Sequence, residues 1–237
     1  MRGMDLSGKV IVITGATRGL GAALVQRLQL FGATVVGCAL HGDPARSIQP
    51  VDVQDAIAVQ AFLQGVLTEH GHIDVLINNA GYAGALMPLE DVSLEDYEKQ
   101  MRTNVDGVFF MLQQTVAAMK KQKSGTILTI GSRAGRRAHP GLAVYSATKA
   151  AVCALTQALA RELEEDGTGV RCIVISPGGI DTDMRKQLFG EEDSRRQQSA
   201  DRVAELITGI LTEDIPVPNG ADVGIVRGEI EGVLELH

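Results

Sequence analysis

The segment that most restricts the fold begins with Lys9-Val10-Ile11-Val12-Ile13 and continues through a glycine-rich turn. A run this short, apolar and β-branched is the mark of a strand buried on both faces of a parallel sheet. It leads into Thr14-Gly15-Ala16-Thr17-Arg18-Gly19-Leu20-Gly21 and then into an apolar-periodic stretch through Leu24, Leu28 and Phe31. Strand, glycine turn, helix is the setting in which such glycines carry meaning. Gly15 permits a tight turn, Gly19 lets the backbone approach a diphosphate, and Gly21 allows close helix–strand packing. The helix N-terminus then offers free N–H groups and partial positive charge to the phosphates. The spacing by itself says little, because a chain with 27 glycines shows it by chance ~0.3 times. Its position directly after the first strand gives it weight.

The rest of the chain alternates in the same way. Strands are predicted near 9–14, 33–38, 49–51, 73–77, 125–131 and 170–175, and helices near 19–31, 54–70, 94–121, 143–165 and 200–212. Such alternation specifies an α/β fold, a Rossmann-type doubly wound parallel sheet with right-handed crossovers, in a single domain over 1–237. Ligands in these sheets bind outside the carboxyl ends of the strands. Thr14, Asn78, Ser132 and Pro177 each fall at or just past such an end. Two places depart from the pattern. The stretch 40–49, interrupted by Gly42 and Pro44, is too short for a crossover helix. The glycine-punctuated segment 214–237 has room for one or two strands of uncertain placement.

Chemistry enters with Tyr145 and Lys149, four residues apart, and Ser132 upstream. Positions i and i+4 share a helix face, so phenol and ammonium point into one space. A cation beside a tyrosine favours the phenolate and lowers a pKa that starts near ~10. Such a tyrosine can trade protons with a carbonyl or alcohol, and a serine hydroxyl can hold the reacting oxygen. The plainer alternative is a polar pair on a solvent-facing helix. A chance Tyr-x-x-x-Lys is expected ~0.1 times in a chain of this composition, and the added serine makes it rarer still.

Thr14-Gly15-x-x-x-Gly19-x-Gly21, Asn78-Asn79-Ala80-Gly81, Asn104, Ser132, Tyr145-x-x-x-Lys149 and Pro177-Gly178 occur in the order found in short-chain dehydrogenases/reductases. The chain resembles that family over about residues 5–185. The resemblance implies an NAD(P)-dependent carbonyl reductase or secondary-alcohol dehydrogenase. It assigns proton exchange to Tyr145, pKa control and ribose binding to Lys149, and the substrate oxygen to Ser132. It gives Asn104 a water in a proton relay; a surface position or local kink is the structural alternative for this poor helix former. It implies cofactor contacts from Gly15, Thr17, Arg18, Gly19, Leu20, Gly21, Asn79, Ala80, Gly81, Pro177, Gly178, Ile180 and Thr182. Asp52 and Val53 match the adenine contact, although Asp52 serves equally well as a helix N-cap. Asn79 reads more as scaffold than as catalyst.

The choice of cofactor turns on the end of the second strand, where NAD-dependent relatives carry an acid. Here the position holds Ala39, followed by Leu40 and His41, so no carboxylate repels a 2′-phosphate. Arg18 can grip phosphate, with His41 or Arg46 as a second cation, and NADP(H) is favoured over NAD(H). Substrate selection falls to loops, including a lid over about 183–200 that also reads as a solvated mobile loop. Arg133, Arg136, Arg137 and His139 could favour an anionic substrate or merely face solvent. A 3-oxoacyl-carrier-protein reductase is a narrower alternative, with Lys120-Lys121-Gln122-Lys123 as the carrier contact. A non-catalytic NAD(P)-binding regulator is the alternative of another class.

Net charge −7 argues against nucleic acid as a partner. No apolar run approaches a membrane span, and no charged-then-apolar leader is read at Met1-Arg2-Gly3-Met4. Three cysteines without metal-ligand spacing fit buried thiols in a reducing cytoplasm, and no metal site is expected. The long helices 94–121 and 143–165 carry apolar faces that imply a homodimer or homotetramer.

Overall fold

The computed structural model describes residues 5–234. Residues 1–4, and the last three residues of the 214–237 segment, lie outside the described residues. The main strands, in chain order, are β1 (Val10–Thr14), β2 (Thr34–Ala39), β3 (Ile48–Pro50), β4 (Val75–Asn78), β5 (Gly125–Ile130), β6 (Val170–Pro177), β9 (Asp222–Val226) and β10 (Glu229–Leu234). These eight form one sheet in the order β10-β9-β6-β5-β4-β1-β2-β3. All neighbours are parallel except β9 and β10. A two-residue pair, β7 (Ile180–Asp181) and β8 (Gln198–Ser199), lies apart. The helices are α1 (Gly19–Leu30), α2 (Ala56–His70), α3 (Leu94–Met101), α4 (Gly107–Gln122), α5 (Arg133–Arg136), α6 (Ala143–Glu165), α7 (Asp183–Phe189), α8 (Glu191–Arg195) and α9 (Ala200–Leu211).

The continuous apolar strands are buried on both faces, as their composition demands. Ile11 and Ile13 of β1 join the core with α1 and α9, while Val10 and Val12 join the opposite core with α2, α4 and α6. The chain reverses winding between β1 and β4, which opens a crevice at their carboxyl ends. The short crossover after β2 is a single 3-10 turn, Pro44–Arg46. The C-terminal segment holds two strands, and β10 returns antiparallel along the sheet edge.

The structure corrects three sequence expectations. Helix 94–121 is interrupted by a π-helical turn, Arg102–Asp106, that contains Asn104. The segment expected to form a lid is no open loop but the helices α7 and α8, tied by Arg185 Nε to Asp193 Oδ1 at 2.5 Å and by Ser194 Oγ to Asp181 Oδ1 at 2.6 Å. The α2 helix is capped by Asp55, whose carboxylate accepts from the N–H groups of Ile57 and Ala58. Asp52 instead accepts from Gln54 N at 2.9 Å and lies outside the helix.

Candidate active site

Four adjacent strands bring Thr14, Asn78, Ser132 and Pro177 to one edge of the sheet. The glycine turn is built as its spacing requires. Gly15 and Gly19 have φ of +65° and +54°, a backbone that side chains rarely adopt. A Cβ on Gly15 would stand 2.9 Å from Ala80 Cα, so turn and Asn-Asn-Ala-Gly loop are in backbone contact. The Thr14 hydroxyl accepts from the N–H groups of Asn79 and Ala80 at 3.0 and 2.9 Å. The Asn79 amide donates to the carbonyls of Thr14 and Gly15 at 2.9 and 3.1 Å. Asn79 is therefore the scaffold residue its sequence context implied. Gly19 faces Thr182, which caps α7 by accepting from Arg185 N. Pro177 ends β6, and Gly178 N donates to Ile225 O at 2.8 Å, which fixes the start of the loop carrying Ile180.

These residues fit a dinucleotide. The glycine cradle is space that a Cβ would fill, at the N-terminus of α1. Beside it, Asn78 is 2% exposed, and its side-chain amide has no hydrogen-bond partner among the described residues. It lines a narrow cleft with Thr14, Val53, Ala80 and Thr103. Arg18 is exposed on the glycine turn. Arg46 reaches back from the 3-10 turn, its Nη2 donating to Thr17 O at 3.0 Å and its Nε to Asp43 Oδ2 at 2.6 Å.

Ser132, Tyr145 and Lys149 converge at the next strand. Ser132 caps the four-residue helix α5, its Oγ accepting from Ala134 N at 3.1 Å. That leaves its O–H for the Tyr145 phenol, to which it is hydrogen-bonded. Lys149 Nζ lies 5.8 Å from the Tyr145 ring centroid and donates to Ile130 O at 2.7 Å. Asn104, wholly buried, takes the N–H of Tyr82 on Oδ1 at 2.8 Å. Its Nδ2 donates to Tyr82 O at 2.8 Å and to Thr148 Oγ1 at 2.9 Å. A Cβ on Gly81 would stand 3.6 Å from both Asn104 Oδ1 and Lys149 Nζ, so the three close one small space. The π turn that admits Asn104 is the local kink, and the surface alternative is excluded.

Charge does not behave as the pair alone suggests. Burial raises the Tyr145 phenol above its ordinary value, the Ser132 hydrogen bond works against that rise, and Cys153 adds to it. Tyr145 is thus a neutral acid at physiological pH, not a tyrosine held low by its lysine. Burial pulls Lys149 from 10.5 down to about 8, so the lysine is the member of the pair that titrates near neutrality. A folded pKa below the unfolded one means a cation whose burial costs stability at low pH. The cost is fully present below pH 8 and gone by about 10.5. The stability of Lys149→Met relative to the native chain should therefore fall by on the order of 3 kcal/mol across that window. Thermal unfolding of both chains from neutral pH to pH 10.5 checks this, and a pH-independent difference would refute it.

Other candidates are displaced. Arg136 turns inward to Asp222, and Arg133 pairs with Glu231 at 3.8 Å. His139 packs edge-on against Phe189 of the lid, ring centroids 5.5 Å apart, so the basic cluster is largely engaged with protein. The Lys120–Lys123 turn lies at the amino edge of the sheet, where Gln122 brackets the backbone of Ile73. A carrier bound there would sit on the wrong side of the sheet from Ser132. All three cysteines are buried and free. Among the described residues there is no metal-ligand cluster and no helix long and apolar enough to cross a membrane. Sequence reading missed Tyr82, Thr148 and the Ile130 carbonyl. Thr148 was accessible through its i+3 spacing from Tyr145; a backbone carbonyl leaves no signature.

A doubly wound sheet with a glycine cradle and, at the same edge, a half-buried serine and tyrosine beside a buried lysine defines a dinucleotide-dependent oxidoreductase. The family model for short chain dehydrogenase matches residues 9–193. The chain is 36% identical over 198 residues to 2,3-dihydro-2,3-dihydroxybenzoate dehydrogenase of Escherichia coli (strain K12), covering 82% of this chain and 79% of that protein. It is 33% identical over 201 residues to the 3-oxoacyl-(acyl-carrier-protein) reductase FabG of the same strain, covering 80% of each. A solved 3-ketoacyl-(acyl-carrier-protein) reductase from Brucella melitensis, complexed with NADH, matches with TM-score 0.86 and 26% identity over 93% of this chain and 97% of that one. The chain belongs to the short-chain dehydrogenase/reductase family and is an NAD(P)-dependent dehydrogenase/reductase.

Proposed function

We propose that the protein reduces a carbonyl of a small molecule to a secondary alcohol, reversibly, with Tyr145 as general acid and base. The observation that carries this reading is the convergence of Tyr145, hydrogen-bonded to Ser132, with Lys149 Nζ 5.8 Å from its ring centroid, at the strand edge beside the glycine cradle. The bound nicotinamide cofactor supplies the hydride for the carbonyl carbon. Ser132 turns its O–H, which meets the Tyr145 phenol in this structure, onto the carbonyl oxygen, and Tyr145 delivers its proton to that oxygen. The resulting phenolate is held by the Lys149 ammonium, and Lys149, near pKa 8, passes a proton back to it. Asn104, fixed against Tyr82 and Thr148, would hold on its Oδ1 a water that continues the proton path toward solvent. Oxidation of an alcohol runs the same proton steps in reverse.

The cofactor is NADPH rather than NADH in this reading. The end of β2 carries no acid, and Arg46 lies against the glycine turn with Arg18 exposed beside it. Losing a charge-assisted contact costs ~1.5–3 kcal/mol. Arg46→Ala should therefore weaken NADPH by about 10- to 100-fold and leave NADH nearly unchanged in paired fluorescence titrations. Equal losses for the two would count against NADPH. A panel of small ketones and secondary alcohols then tests the reaction, and cofactor binding without turnover of any member would reject it. Exposed Leu94, Tyr97 and Phe109 on α3 and α4 support assembly into a homodimer or homotetramer. Light scattering at micromolar concentration should give twice or four times the chain mass, and a monomer would contradict it.

A further inference from the structure

The match to the family model ends at residue 193, and strand β9 beyond it reaches the turn that carries Ser132. Arg136, last residue of α5, points its guanidinium away from the substrate side and across β9. Its Nε meets Asp222 Oδ2 at 2.7 Å, and its Nη2 donates to the Asp222 carbonyl. The two side chains are 19% and 5% exposed. A Cβ on Gly224 would stand 2.5 Å from Arg136 Nη1, so the strand is bare where the guanidinium crosses it. On its other side the same turn rests on α6, because a Cβ on Gly135 would meet the Lys149 carbonyl carbon at 2.8 Å. Arg133, one residue after Ser132, adds an ion pair to Glu231 of β10. The four-residue α5 is a single turn, with backbone bonds from Gly135 N to Ser132 O and from Arg137 N to Arg133 O.

From this geometry we infer that Arg136 is a positioning residue. Its tie to Asp222 clamps α5 between the C-terminal hairpin and α6, and thereby fixes the Ser132 hydroxyl on Tyr145. A helix of one turn has too little internal bonding to hold its cap residue in place unaided. The buried aspartate supports the same view: its Oδ1 has no partner, a cost that a purely space-filling pair of apolar residues would avoid. The inference rests on the reading of Ser132 and Tyr145 as catalytic partners.

The test needs no substrate. The chain has three tyrosines and no tryptophan, so 3-fluorotyrosine incorporation gives 19F resonances for Tyr82, Tyr97 and Tyr145 alone, with Tyr145→Phe assigning the third. The ionisable groups facing Tyr145 are Lys149 and Cys153, both on α6; Cys153 in turn feels Asp222 and Arg136, whose opposite effects on it are removed together in the double variant. Ser132→Ala should raise the Tyr145 midpoint by about half to one pH unit, because the hydrogen bond that opposes its rise is lost. Arg136→Met combined with Asp222→Val leaves no buried unpaired charge and should raise the midpoint in the same direction. Adding Ser132→Ala to that pair should raise it no further than Ser132→Ala alone. Arg136→Lys, which keeps the charge but loses one of the two contacts, provides a second folded variant with a smaller rise in the same direction. A native midpoint in the folded Arg136 variants, or rises that add in full to that of Ser132→Ala, would overturn the clamp. No rise in Ser132→Ala itself would instead overturn the Ser132–Tyr145 partnership on which it rests.

Discussion

Replacing Tyr145 with phenylalanine should lower turnover by about three orders of magnitude while leaving the fold and dinucleotide affinity intact. General acid catalysis by a positioned side chain contributes ~10²–10⁴-fold, and no other group in the cluster can take over the role. Ser132 already spends one lone pair on Ala134 N, and Lys149 is committed to the Ile130 carbonyl. Phenylalanine fills the same space on α6 and removes only the hydroxyl, so the expected signature is a fall in kcat with KM and melting temperature nearly unchanged. The same variant separates enzyme from regulator: a non-catalytic NAD(P)-binding protein would keep its cofactor response. Retention of more than a tenth of native turnover would remove Tyr145 from the mechanism.

The second large effect is expected at Gly21. A Cβ there falls inside contact distance of the Gly15 carbonyl oxygen and 2.6 Å from Asn79 Nδ2. Both obstacles belong to the scaffold that holds the glycine turn against Thr14, so neither can give way without moving the cradle. Gly21→Ala should cost ~1–3 kcal/mol or more by overpacking. That lowers the melting temperature by about 5–10 °C and abolishes measurable dinucleotide binding. Gly65→Ala is the matched control, on the exposed face of α2, where an added Cβ meets nothing within 4 Å. It should hold or raise the melting temperature by relieving the helix cost of glycine. Equal melting of the two variants would mean that the close approach at Gly21 is unimportant.

Local patterns carried much of this site. The β-branched run before Gly15 announced a strand buried on both faces, and Ile11 and Val12 do face opposite cores. The i, i+4 spacing placed Tyr145 and Lys149 on one helix face, and the strand ends placed Ser132 near them. What local pattern could not show was a partner distant in sequence. The buried setting of Asn104 in its kink is fixed by Tyr82 and Thr148, 22 and 44 positions away. The lid read as a mixed-charge loop because Asp181 and Ser194, which bind it down, are polar in any environment. Arg136 read as a surface or substrate-binding cation because Asp222 is 86 residues distant.

The sequence by itself determined the doubly wound sheet, the glycine cradle and the meeting of Ser132, Tyr145 and Lys149 at one strand edge, since each depends on periodicity or on short spacings along the backbone. The tertiary structure alone decided how those groups are charged and held. The pKa of Tyr145 and Lys149 depends on how much water the fold removes around them, and burial outweighs the proximity of the pair. The seating of Ser132 depends on an ion pair that closes only when β9 docks beside β6. Desolvation and long-range docking are sums over many residues, and no local pattern encodes them.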